Sequence, residues 1–203
     1  DMATVFAAED TREWTNNPGI FQVNRERARA MFYRYDSVEQ ALAADKESSG
    51  YYQLLNGDDW KFSWAVKPSE RIAAQDEDFN QKDYDDSGWD DISVPRSWQT
   101  YVNDDGSFKY DPVIYANQNY PWMNAEGKNY SQYKVGQAPE ECNPVGTYRK
   151  TFTVDPSWEG KEIFLNFDGV GSAMYLWVNG EYIGYAEDSF TRDEFNITEA
   201  LDF

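Results

Sequence analysis

Asp168 to Ser189 reads DGVGSAMYLWVNGEYIGYAEDS, and this stretch decides the fold. Two apolar-aromatic runs flank Asn179-Gly180. Asn-Gly supplies the two positive-φ residues of a type I′ turn, so the stretch predicts a tight β-hairpin. In the first arm Ala173, Tyr175 and Trp177 fall on one face, and Met174, Leu176 and Val178 on the other. Both faces carry large side chains, which predicts a strand covered on both sides and central in its sheet. The second arm, Glu181 to Ala186, alternates less cleanly.

Working outward, other strands are expected at Ile20–Val23, Trp60–Val66, Ile92–Pro95, Thr147–Val154, Ile163–Phe167 and Phe195–Thr198. Trp60, Phe62 and Trp64 share one face by alternation. Ser37 opens a helix: Ser-Val-Glu-Gln is a capping box with Gln40 reaching back, and Val38, Ala41 and Leu42 form a stripe expected to pack. Asn17-Pro18-Gly19 and Asn103–Gly106 are turns. Six to eight strands without strand–helix alternation predict an all-β sandwich or jelly roll.

The chain has 203 residues, enough for one large all-β domain, with 40% hydrophobic and 17% aromatic residues. Its formal charge of −19 repels nucleic-acid phosphates and anionic membranes, so neither is an expected partner. No apolar run approaches the ~20 residues of a membrane span. Neither a secretory signal nor an internal repeat is visible. With no histidine, Ser-His-Asp and Cys-His nucleophile systems are excluded. Cys142 is the single cysteine, in an acidic loop context, and reads as incidental.

Candidate chemistry is sparse. Among 37 acidic residues some pair of carboxyls will always be found. Asp168 and Asp188 bound the hairpin region, but both read as turn or capping carboxylates, and no pair stands out as catalytic. The Asp83–Asp91 stretch lacks the EF-hand spacing and reads as a solvated acidic loop anchored by Trp89. Arg25, Arg27 and Arg29 are expected to clamp acidic surface of the same protein. Tyr115-Ala116-Asn117 and Tyr120-Pro121-Trp122 place aromatic faces beside a polar amide, as a pyranose site needs; pinning of a long loop is the other reading.

Seven blocks in order carry a resemblance. They are Asn17-Pro18 with Asn24-Arg25; Leu55-Asn56-Gly57 with Trp60-Lys61-Phe62; Val94-Pro95-Arg96-Ser97-Trp98-Gln99; Ile114–Asn117 with Tyr120-Pro121; Asn143–Arg149; Phe167–Val170; and Trp177–Gly180 through Gly184-Tyr185 and Asp188-Ser189. In these the chain resembles the start of bacterial β-galactosidases of glycoside hydrolase family 2. The resemblance implies an all-β jelly-roll β-sandwich of the galactose-binding-domain-like type, the sugar-binding domain, with one short helix and long loops. An N-terminal arm and helix would occupy residues 1–50 and the jelly roll residues 51–203. In the family an immunoglobulin-like domain and a (β/α)8 barrel follow, and the barrel holds the catalytic glutamates and magnesium. The chain ends before both, so by itself it is expected to be inactive and to need no cofactor.

The resemblance also carries over one site residue. The asparagine of the Tyr-x-Asn segment, here Asn117, contacts galactose in the barrel pocket, and Tyr115 and Trp122 are candidate neighbours. A metal site near Asn17 in some members meets Trp14 here instead of an acid. Tyr101–Lys109 and Trp122–Cys142 are longer than usual, and Ala116 replaces a common threonine. Three readings stay open: an accessory domain of a β-galactosidase acting on galactosides in a homo-oligomeric parent, a self-sufficient carbohydrate-binding module, or a docking and oligomerisation domain. The compartment, cytoplasmic or extracytoplasmic, is open as well.

Overall fold

The computed structural model describes residues 12–112 and 138–203. Among them the strands are β1 (Gln22–Val23), β2 (Gly57–Ala65), β3 (Asp90–Val94), β4 (Val145–Arg149), β5 (Phe164–Phe167), β6 (Ala173–Val178), β7 (Glu181–Glu187) and β8 (Asp193–Asn196). All pairings are antiparallel and fall into three sheets, β1-β7-β6, β3-β2-β4 and β5-β8. The mainly-β sandwich expected from the sequence is present. Helices are short: α1 (Arg12–Thr15), α2 (Val38–Ala43) and α3 (Ile72–Gln75).

The β6–β7 hairpin turns on Asn179 (φ 52°) and Gly180 (φ 86°), with Val178 opposite Glu181, as the Asn-Gly pair predicts. The Asn179 side chain also donates to the Ala200 carbonyl at 2.7 Å, tying the turn to the chain end of the described fold.

Strand β6 differs from expectation in one respect. Among the described residues it pairs only with β7, so β7, between β1 and β6, is the central strand. Both faces of β6 are nonetheless covered, by side chains from other elements and not by flanking strands. One face carries Val178, Met174 and Leu176 into an aliphatic core with Ile163, Ala186, Phe195 and Ile197, roofed by the β5–β8 pair. The other face carries Tyr175 and Trp177 against Trp14, Phe79, Tyr182 and Tyr185.

A β-bulge makes that second face possible. Leu176 pairs with Gly184 but Trp177 pairs with Tyr182, which leaves Ile183 extra on β7. An extra residue shifts alternation by one, so Tyr182 and Tyr185 point to the same face although three apart. The Ile183 carbonyl accepts from the Asn24 amide at 2.9 Å, so the disrupted ladder leaves it satisfied. Gly184 must be glycine: a Cβ there would sit 2.5 Å from the Val23 carbonyl oxygen and 2.6 Å from the Phe195 ring.

In the second sheet β2 is central. Phe62, 1% exposed, meets Trp98, Tyr110 and Tyr148, and Trp60 meets Tyr148, so the predicted shared face of Trp60, Phe62 and Trp64 is the packed one. Two arginines clamp acids as expected: Arg25 bonds buried Asp193 at 2.9 Å and Arg29 bonds Glu194 at 2.6 Å. Arg149 does the same for the acidic loop, holding Asp86 and the carbonyls of Phe79 and Gln81.

Helix α2 forms with Ser37 accepting from the Gln40 amide, but it ends at Ala43 and buries none of its residues. Val38 and Leu42, expected to pack, are 77% and 82% exposed. Gln40 reaches back to the Asp36 amide instead of that of Ser37. The segment is tied down by Ser49, which bonds the Arg34 carbonyl at 2.6 Å, and by the Trp158 indole on the Gly50 carbonyl. The helix follows its capping box and periodicity, and the missing core partner is a tertiary property that periodicity does not encode.

Candidate functional site

The three residues singled out for sugar contact, Tyr115, Asn117 and Trp122, lie outside the described residues. The described residues end at Pro112 on one side of them and resume at Ala138 on the other.

The end at Pro112 is held by polar groups set on aromatic packing. Asp111 Oδ2 accepts from the Trp98 indole at 3.0 Å and from the Trp64 indole at 3.2 Å. Trp64 sits on β2, and Trp98 sits on the 3-10 turn Trp98–Thr100 just past β3. One carboxylate thus joins two separate elements to the chain two residues before Val113. One residue earlier, the Tyr110 hydroxyl donates to Asp90 Oδ2 at 2.7 Å while its ring packs edge-on against Phe62. Lys109 bonds the other Asp90 oxygen at 2.8 Å.

These contacts set the ionisation of the group. Burial pushes the Asp90 carboxyl up, but the hydrogen bonds from Lys109 and Tyr110 outweigh it and hold it below the usual aspartate range. Burial, then the Asp90 hydrogen bond, pushes the Tyr110 phenol well above its ordinary value, so it remains a donor at neutral pH.

The long Tyr101–Lys109 segment is a small hairpin. Val102 bridges Phe108, the Lys109 amide donates to the Tyr101 carbonyl at 2.9 Å, and Gly106 takes φ 81° at its tip. It delivers Lys109 and Tyr110 to the edge of β3. The end at Ala138 is fixed by the Ala138 amide on Asn16 Oδ1 at 2.7 Å and by the Ser69 amide on Glu140 at 2.8 Å.

The remaining candidates are structural. Asp188, at φ 102°, caps the following turn through the Phe190 amide and the Thr191 hydroxyl. The Thr191 and Phe190 bonds hold its carboxyl below the usual range. Asp168 faces Arg192 at 3.6 Å. Trp14 is 7% exposed and stacked on Tyr175, so its position is filled by packing and does not fit a metal ligand. Among the described residues no group of three acidic, cysteine or histidine side chains could hold a metal ion. No described helix is long and apolar enough to cross a membrane.

Residues 52–202 match the family described as glycosyl hydrolases family 2, sugar binding domain. The chain belongs to this family. A β-galactosidase of Priestia megaterium is 42% identical over 189 residues, covering 93% of this chain and 17% of that relative. The β-galactosidase large subunit of Leuconostoc lactis is 36% identical over 196 residues, covering 92% of this chain and 28% of its own. The chain therefore spans less than a third of the length of these curated relatives. Among solved structures, a β-glucuronidase of Bacteroides uniformis is 24% identical over 74% of this chain and 13% of its own, at a TM-score of 0.45.

The double clamp of Asp111 was missed by sequence reasoning. The signal was present only as an isolated acid between Tyr110 and Pro112, and nothing local links it to indoles 13 and 47 positions away.

Proposed function

We propose that this chain is the non-catalytic N-terminal sugar-binding domain of an enzyme that hydrolyses terminal β-D-galactosides. It lends the segment carrying Tyr115, Asn117 and Trp122 to the active-site wall of a barrel, with Asn117 on a galactose hydroxyl. The observation that carries this reading is the 42% identity to a β-galactosidase over 93% of the chain. The anchoring of Asp111 supports it, because a contact made by a loop needs a fixed root to hold its geometry. Catalytic carboxylates and any magnesium would belong to the barrel.

A docking role accompanies this one. Val38 and Leu42, one turn apart on α2, are 77% and 82% exposed, and apolar side chains so placed suit contact with the parent enzyme's other domains or subunits.

The test is hydrolysis by the full-length protein, offered β-galactosides and β-glucuronides in parallel, with the 203-residue chain assayed alone. Turnover of the galactoside by the full-length protein only is the expected result. Preference for the glucuronide, or turnover by the chain alone, contradicts the reading.

A further inference from the structure

Among the described residues, strands β2 and β3 of the β3-β2-β4 sheet end out of step. Strand β3 begins at Asp90, opposite Phe62, whereas β2 continues to Ala65. Ser63, Trp64 and Ala65 have β4 on one side and, among the described residues, no strand on the other. A cleft of about 320 Å³ lies between Ser63 and Trp64 of β2, Trp89 and Asp90 at the start of β3, and Lys109 and Tyr110. That lies at the small end of ligand sites, which span roughly 300–1,000 Å³, and it gives room for a short saccharide.

The lining suits that ligand. Trp64, Trp89 and Tyr110 are half-buried and each presents part of a ring to the cleft. An aromatic face matches the apolar C–H face of a pyranose, and its hydroxyl rim needs fixed donors and acceptors. Asp90 and Lys109 supply both. Each Asp90 oxygen accepts one bond already and retains a second lone pair, and the Lys109 ammonium keeps two N–H groups beyond its bond to Asp90.

Other ligand classes fit worse. The Lys109 charge is matched by Asp90 at 2.8 Å, and the chain carries −19 overall, which disfavours phosphates and nucleotides. A purely apolar ligand would strip water from Asp90 and Lys109 without replacing their hydrogen bonds.

We infer that this cleft binds a short neutral saccharide, stacked on Trp64 and Trp89 and held through its hydroxyls by the Asp90–Lys109 pair. The site is built wholly from described residues and does not rest on the role given to Asn117.

The experiment uses the full-length protein, probed on an array of neutral oligosaccharides that includes β-galactans, then by calorimetry with the strongest glycan. Three variants accompany it: Trp89→Ala, Lys109→Gln and Asn117→Ala. Loss of one stacking ring is expected to weaken glycan binding on the order of tenfold. Lys109→Gln, at an exposed position, should weaken it without disturbing the fold. Asn117→Ala should leave it intact, and turnover of a small galactoside should be unchanged by Trp89→Ala. No saturable binding to any neutral glycan by folded protein overturns the inference, as does binding indifferent to both Trp89→Ala and Lys109→Gln. A protein that binds through this cleft but turns over no galactoside would sink the proposed enzyme and leave the cleft standing.

Discussion

Asp111 Oδ2 lies 3.0 Å from the indole nitrogen of Trp98, and the same oxygen takes a second indole bond from Trp64. Two rings from different elements are therefore oriented by one charge. That charge sits two residues before Val113, so the carboxylate acts as a joint between the sandwich and the segment that carries Asn117.

Removing that joint should be felt in both stability and function. Asp111→Ala leaves two indole donors without an acceptor, which costs about 1–3 kcal/mol in unfolding free energy. Asp111→Asn keeps one acceptor and should cost less. Denaturant midpoints rank the three proteins. In the full-length protein, kcat/KM on a galactoside should fall in the same order, because the loop root loosens.

Trp14 is expected to matter more than its place near the chain start suggests. It is 7% exposed and touches Tyr175, Tyr182 and Tyr185 at 5.5–5.6 Å between ring centroids. Trp14→Ala should cost about 3–5 kcal/mol, with Trp14→Phe retaining part of it. A thermal midpoint unmoved by Trp14→Ala would show that the aromatic face does not support the hairpin.

Gly184→Ala is a small change with a large expected effect. The added methyl would lie 2.5 Å from the Val23 carbonyl oxygen and 2.6 Å from Phe195, neither of which is the end of a flexible chain. Overpacking of this kind costs about 1–3 kcal/mol. Hydrogen exchange should show the β1–β7 amides losing protection first.

The Asp90 carboxyl gives a pH signature. Its folded pKa lies below the ordinary value once its hydrogen bonds outweigh burial. The unfolded chain therefore binds the proton more readily than the folded one in the window between the two values. The contribution is present above the ordinary aspartate pKa and is lost as pH falls through the folded one. The stability gap between the protein and its Asp90→Asn variant should be widest near neutrality and close in acid, read from unfolding curves across pH.

Much of the hairpin was legible because Asn179-Gly180 is a backbone requirement written in two residues. The packed face of β2 was legible from the alternation of Trp60, Phe62 and Trp64. The central position assigned to β6 was not, because coverage of both faces can come from a helix residue such as Trp14 as readily as from a flanking strand. The Tyr182–Tyr185 pairing was hidden for another reason: residues three apart share a face only through the bulge at Ile183, and no local pattern marks that bulge. At α2 the periodicity gave the element while Val38 and Leu42 face solvent, since burial depends on what lies opposite. The sugar-contact candidates Tyr115, Asn117 and Trp122 rest on an aromatic and amide pattern together with family resemblance, and they lie outside the described residues. The Asp90–Lys109 cleft needs the Tyr101–Lys109 hairpin to fold back on β3, a long-range event no spacing rule shows.

The central claim is that this domain contributes Asn117 to galactose recognition. Its most direct test is the Asn117→Ala change in the full-length protein, with kcat and KM measured on a β-galactoside and folding checked by thermal unfolding. The account predicts an unchanged melting temperature and a fall in kcat/KM of about ten- to a hundredfold, the loss of one buried hydrogen bond to substrate. A folded Asn117→Ala protein with the parent's kinetics would contradict it.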